Sequence, residues 1–246
     1  MIHRLLILAL LFTSCGIVPE EETTSESCSD LIDSESWEEA IECYETGDYD
    51  ETPDADLSGE EHIYLAMWAG AYGGKYGIIG TAIIESLLET DDGGGGSEEE
   101  SNGGFNFQAK AEEILAAGTM AFAIADMEKC LSLITAIPEK FRSSESDEAV
   151  YFSEDVSTIG GIYTLFLFEL QKTDFNASLS DDSLSEDELI AKADSVLATL
   201  EAGGTVVSDP TLQAQINESF QEVQNQPGAN SKEKLESFIE QDAGTK

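Results

Sequence analysis

Basic residues are scarce in this chain: its 246 residues include 11 Lys and Arg against 51 Asp and Glu, a formal charge of −40. A surface of that sign repels nucleic acid and anionic headgroups, which excludes both as partners. Histidine is almost lacking, with only His3 and His62 present, and His3 falls in a leader segment. A Ser-His-Asp triad or a histidine metal cluster is left with His62 alone, which opens an apolar helix and reads as a surface or cap residue. Long apolar runs are missing as well. Residues 76–88 and 156–170 are interrupted by Glu85 and Glu169, and both are shorter than the roughly 17–25 residues a bilayer crossing takes. The chain has no CxxC pair, GxSxG elbow, P-loop lysine motif or GxGxxG turn, so zinc, dithiol, hydrolase and nucleotide chemistry have no signature. Paired carboxylates are too common here to mark a glycosidase site. No catalytic residue, metal or cofactor is expected.

The sequence does carry an export signal. His3 and Arg4 give a basic start, residues 5–12 form an apolar run, and the small residues Thr13 and Ser14 precede Cys15. Charge, then apolar residues, then small residues is the order of a secretory signal. A cysteine at the cleavage point adds a thiol that can carry a diacylglycerol. Residues 1–14 are therefore expected to be a lipoprotein signal peptide, with Cys15 lipidated and anchoring the mature chain to a membrane. Gly16 is not the aspartate of an inner-membrane retention signal, which favours the outer membrane and its periplasmic side. Phe12 departs from the aliphatic residue usual three positions before such a cysteine.

Export places the remaining cysteines, Cys28, Cys43 and Cys130, in an oxidising space. Cys28 and Cys43 are the candidate disulfide pair, closing a loop worth about 3 kcal/mol in the chain-entropy model. Cys130 is then left as a small buried apolar residue. Other pairings remain open on spacing alone. The acidity has three readings: hydration in a salty environment, recruitment of a basic partner, or loose divalent-cation binding. Asp54, Asp56, Ser58 and Gly59 match the opening of a calcium loop, but its twelfth position is Leu65 and its eighth Glu61. The bidentate glutamate that such a loop needs is absent, so an acidic solvated loop is expected.

Hydrophobic residues make up 41% of the chain, enough for a core, and their spacing is helical throughout. Residues 15–34 read as an acidic tether. A first helix follows over 34–46, with Trp37, Ala40, Ile41 and Tyr44 on one face and Gly47 ending it. Two apolar segments, 60–72 and 76–90, are parted by Gly73 and Gly74, and residues 91–104 form a glycine- and glutamate-rich flexible insertion. Helix resumes over 106–137, broken at Gly118 and ended by Pro138, with Met120, Ile124, Met127, Leu131 and Ile134 as a buried stripe. Residues 148–171 are apolar almost all round, the pattern of a central helix. Ser185 and Glu188 form a capping box opening a helix that Gly203 closes. Further helices follow from Pro210 and over 231–241. No period-two alternation occurs, so the fold class is all-α, with antiparallel helix pairs stacked as a degenerate solenoid or bundle across 35–90 and 105–246.

The segment 37–53 resembles the second helix of a tetratricopeptide repeat, with Trp37, Ala40-Ile41, Tyr44, Gly47 and Pro53 in the family's aromatic, small and proline positions. Residues 60–90 look like a degenerate next unit, carrying Leu65, Trp68-Ala69, Tyr72 and Ala82-Ile83. The resemblance implies stacked helix pairs and a concave face near Trp37, Tyr44, Tyr64, Trp68 and Tyr72 that binds a protein partner or a small solute. It resembles outer-membrane lipoproteins of the tetratricopeptide class. The expected function is a non-catalytic binding or scaffold protein of the bacterial envelope. The alternatives are a solute-binding accessory of a transporter and a structural surface lipoprotein whose acidity serves hydration.

Overall fold

Ser27 opens the first helix of the computed structural model. Its hydroxyl accepts from the Asp30 N–H, and the Asp30 carboxylate accepts from the Ser27 N–H at 3.0 Å. This reciprocal cap starts helix α1 (Cys28–Asp33) inside the stretch read as a tether, so residues 27–34 belong to the folded body. The structure describes residues 27–54, 56–58, 60–78, 106–142, 153–181, 183–207 and 210–244. The segment read as a signal peptide, Cys15, most of the stretch read as a tether, the segment 79–90 and the stretch 91–104 read as an insertion lie outside the described residues.

A sharp corner with Glu35 in the left-handed region (φ 58) leads into α2 (Trp37–Thr46), which ends where the Gly47 N–H bonds to the Cys43 carbonyl. A 3-10 turn (Glu60–His62) opens onto α3 (Ile63–Lys75). Helices α4 (Phe107–Ala116) and α5 (Met120–Ala136) are parted at Gly118, whose φ of 73 suits a residue without Cβ. Ile137 turns extended before Pro138, as a residue preceding proline prefers, and α6 (Glu139–Arg142) is a single turn. Then come α7 (Ser153–Ser178), α8 (Glu186–Val206), α9 (Pro210–Gln224) and α10 (Ser231–Gly244). The Ser185–Glu188 capping box is present, with the Ser185 N–H 2.7 Å from the carboxylate. No strand occurs among the described residues.

The helices pack pairwise into a bundle around α7, which lies against α4, α5, α6, α8 and α9. At 26 residues, α7 is about 39 Å long and serves two cores. Ile162, Tyr163, Phe166, Leu167 and Leu170 join the larger core formed with α1–α6. Phe168 and Phe175 join a smaller one formed with α8–α10, where Ala193, Val196, Leu200, Ile216, Val223 and Leu235 are buried. Helices α4 and α5 are consecutive yet meet mainly through α7, as a shared central helix requires. In the stripe expected on α5, Met120, Met127 and Ile134 are buried, while Ile124 and Leu131 are half-buried. Ala123, Cys130 and Leu133 share the interior with them.

Three glycines read as helix breakers lie instead within helices. Gly73 and Gly74 are inside α3, and α8 runs through Gly203 to Val206. A Cβ on Gly73 would stand 2.4 Å from the Tyr163 hydroxyl, one on Gly74 2.5 Å from the Trp37 ring, and one on Gly203 2.0 Å from Thr164 Cγ2. Consecutive residues of α7 thus each seat on a glycine of a different flanking helix. Close approach, rather than chain termination, is what these positions require.

Candidate functional site

The richest arrangement of polar and aromatic groups lies where α2, α3 and α5 meet. It is stapled at one edge by a Cys28–Cys43 disulfide with a Cα–Cα distance of 5.6 Å, which ties α1 to α2. Tyr44 stacks on Trp68 with ring centres 5.8 Å apart and meets Tyr49 edge-on at 4.9 Å, while Tyr49 lies 5.4 Å from Tyr64. Of the five aromatics expected to border a concave face, Tyr44, Trp68 and Tyr72 are buried, and Trp37 and Tyr64 are half-buried. Helical spacing that gathers rings on one face also turns that face toward the neighbouring helix. The aromatic set is therefore mainly packing between α2 and α3.

Polar groups rim this layer. The Tyr72 hydroxyl donates to Glu45 at 2.5 Å, and that of Tyr64 to the Asp50 carbonyl at 2.5 Å. Asp126 accepts from Tyr76 at 2.6 Å and pairs with Lys75 at 2.8 Å. Lys129 pairs with Glu51 and holds its ammonium 5.2 Å from the Trp68 ring centre. Burial, reinforced by the Glu45 and Asp126 carboxylates, pushes the Tyr72 and Tyr76 phenols well above the usual tyrosine range. Cys130 is a buried free thiol donating to the Ala69 carbonyl at 3.3 Å. Burial raises its pKa, with Asp126 adding to the shift, so it stays protonated and unreactive. Asp126, Lys129 and Cys130 share one face of α5 at helical spacing, the one sequence signal that could have joined them to α3. The grouping offers hydrogen-bonded, charge-paired packing rather than an activated nucleophile.

His62 is fully buried, which corrects its reading as a surface residue. Its Nδ1 lies 2.7 Å from the Ser58 carbonyl and its ring 5.6 Å from that of Phe141. Its Nε2 has no hydrogen-bond partner among the described residues. The helix packs this end of α3 against α6, a tertiary contact that sequence position could not reveal. The loop matching the opening of a calcium site is a chain of local caps. Asp54 accepts from the Asp56 N–H at 3.1 Å, and Glu61 accepts from the Ser58 N–H and hydroxyl at 2.8 and 2.7 Å. No group of three or more His, Cys, Asp or Glu that could hold a metal occurs among the described residues.

A second arrangement sits at the seam of the two cores. Phe107, Gln108, Leu165, Phe168, Glu169 and Ser219 line an open cleft of about 250 Å³. Glu169 pairs with Lys172 at 2.7 Å, and that ammonium stands 5.3 Å from the Phe168 ring centre and 5.9 Å from that of Phe238. No motif in the sequence marks this cleft, because its walls come from three helices whose lining residues lie fifty or more positions apart. No described helix is long and apolar enough to cross a membrane. Comparison of the chain with protein families, with curated proteins and with solved structures gave no match. The fold defines its class: an all-α helical bundle.

Proposed function

We propose that this chain is a lipid-anchored, non-catalytic binding or scaffold protein of the bacterial cell envelope, held at the periplasmic side of the outer membrane and engaging a protein partner. The order of basic, apolar and small residues before Cys15 carries the anchor. Eleven residues separate Cys15 from Ser27, the cap of the first helix. Fully extended, they reach about 40 Å, so lipid at Cys15 would keep the bundle close to the bilayer. The α2–α3 pair supports a tetratricopeptide-like unit, since Trp37 seats on Gly74 and Tyr44 stacks on Trp68 in that family's small-and-aromatic manner. Neutral tyrosines hydrogen-bonded to carboxylates and a protonated buried thiol favour binding over catalysis.

One observation favours the second reading, a solute-binding accessory of a transporter: the cleft at the seam of the two cores brings an amide, a hydroxyl and a carboxylate to an apolar wall. The third, a surface lipoprotein whose carboxylates serve hydration, rests on the charge of −40. The anchor is tested by feeding cells radiolabelled palmitate. Label should enter the wild type and not Cys15→Ser, which should leave the membrane fraction. An unlabelled wild type would refute the lipoprotein reading.

A further inference from the structure

Three described stretches of at least twelve residues carry no charged side chain: 63–74, 114–125 and 156–168. The first and third contain no exposed residue, which is what a charge-free run in so acidic a chain should do. The second does the opposite. Eight of its residues are exposed, among them Ala116, Ala117, Ala121 and Ala125. Leu115 is 36% exposed and Phe122 70%. They form the knuckle joining α4 to α5, turned by Gly118 at its left-handed φ. Phe122 is held in the first turn of α5, where its N–H bonds to the Thr119 carbonyl at 3.1 Å. It is thus presented on a regular helix rather than on a loose loop.

The surroundings of the knuckle are acidic. Glu112, Glu113 and Glu128 are exposed on its flanks, while Asp126 is turned inward to Lys75 and Tyr76. Lys110, the near cation, is paired with Glu113 at 3.2 Å. An apolar tip inside a carboxylate collar selects among occupants by charge. A second copy would bring the same collar and a charge of −40 against its own. Anionic headgroups would meet the same repulsion. A cleft with an apolar floor and a lysine- or arginine-rich rim complements both features, with an aromatic anchor at the centre and charges at the edge. We propose that the α4–α5 knuckle, with Phe122 as its anchor, docks into such a basic-rimmed apolar cleft on a partner protein. This rests on the reading of the chain as a protein-binding module.

The test places a photoreactive benzoylphenylalanine at position 122 of the full chain and, separately, at exposed Tyr49, with illumination in intact native cells. Position 122 should give one discrete protein adduct, and its cross-linked peptide should be apolar and flanked by Lys or Arg. Phe122→Asp should cut recovery of that protein at least about tenfold, the effect of losing a single anchor. Its melting temperature should stay unchanged, because an acidic residue suits the first turn of a helix. Adducts only with phospholipid or only with a second copy would overturn the proposal, as would recovery unaffected by Phe122→Asp. A partner captured from position 49 but not from 122 would overturn this surface while leaving the binding function standing. Silence at both positions would count against both.

Discussion

The two cores of this bundle are held together by different means. Every cysteine, tryptophan, tyrosine, histidine and methionine of the chain lies at or before Tyr163. The larger core accordingly uses a disulfide, stacked rings and phenol–carboxylate bonds. The smaller core is built from Phe, Leu, Ile, Val and Ala on α8–α10 and a capping box at Ser185. The second is an ordinary amphipathic assembly whose stability comes from area removed from water. The first adds directional contacts that work only in one geometry. Because α7 contributes to both, the contrast asks whether the cores melt together or apart.

Truncating a buried ring on either side should have the largest effect. Phe166→Ala in the larger core and Phe175→Ala in the smaller should each cost about 3–5 kcal/mol. Trp68 lies in the larger core and Trp37 packs on its Gly74, so tryptophan fluorescence and far-ultraviolet circular dichroism together separate the two. Coincident transitions in both variants would show one cooperative unit and dissolve the comparison. Removing the staple with Cys28→Ser and Cys43→Ser should cost about 3 kcal/mol, seen chiefly in the tryptophan transition. An equal loss in helix α8–α10 signal would show that the cores are coupled through α7.

Gly73→Ala and Gly203→Ala, one for each region, should each cost about 1–3 kcal/mol in chemical denaturation, despite alanine's better helix propensity. A gain would show that α7 can move away from its flanking helices. The smallest effect should come at alkaline pH. Tyr72 and Tyr76 have their folded pKa values raised, so the stability they contribute is complete below the unfolded tyrosine value of about 10. It is lost as pH rises above that value toward the folded ones. Tryptophan fluorescence should therefore report weakening of the larger core above about pH 10. The tyrosine-free smaller core should hold its helical signal over the same range.

The helices were legible where caps and period agreed. Of the faces that spacing predicts to point inward, Leu189, Ala193, Val196, Leu197 and Leu200 on α8 and Leu212, Ile216 and Val223 on α9 are buried, while Ile190 and Phe220 are half-buried, and the helix expected from Pro210 begins there. The site was legible only in part. Tyr44, Trp68 and Tyr72 were marked by type and spacing, but the same marks describe a core, and burial is a property of the neighbour they face. His62 and the cleft at Phe168 carried no signal, since their surroundings come from distant segments.

Composition, the order of residues before Cys15 and the helical period are properties of the chain itself. They determine the all-α class, the excess of carboxylates and the caps, because each depends on residues within a few turns of one another. Only the tertiary structure decides that Gly73 and Gly203 permit contact rather than end helices, that the aromatic layer faces inward, and that 114–125 alone of three charge-free runs faces water. Those outcomes depend on which helix lies opposite, and a helix's own sequence does not contain its neighbour.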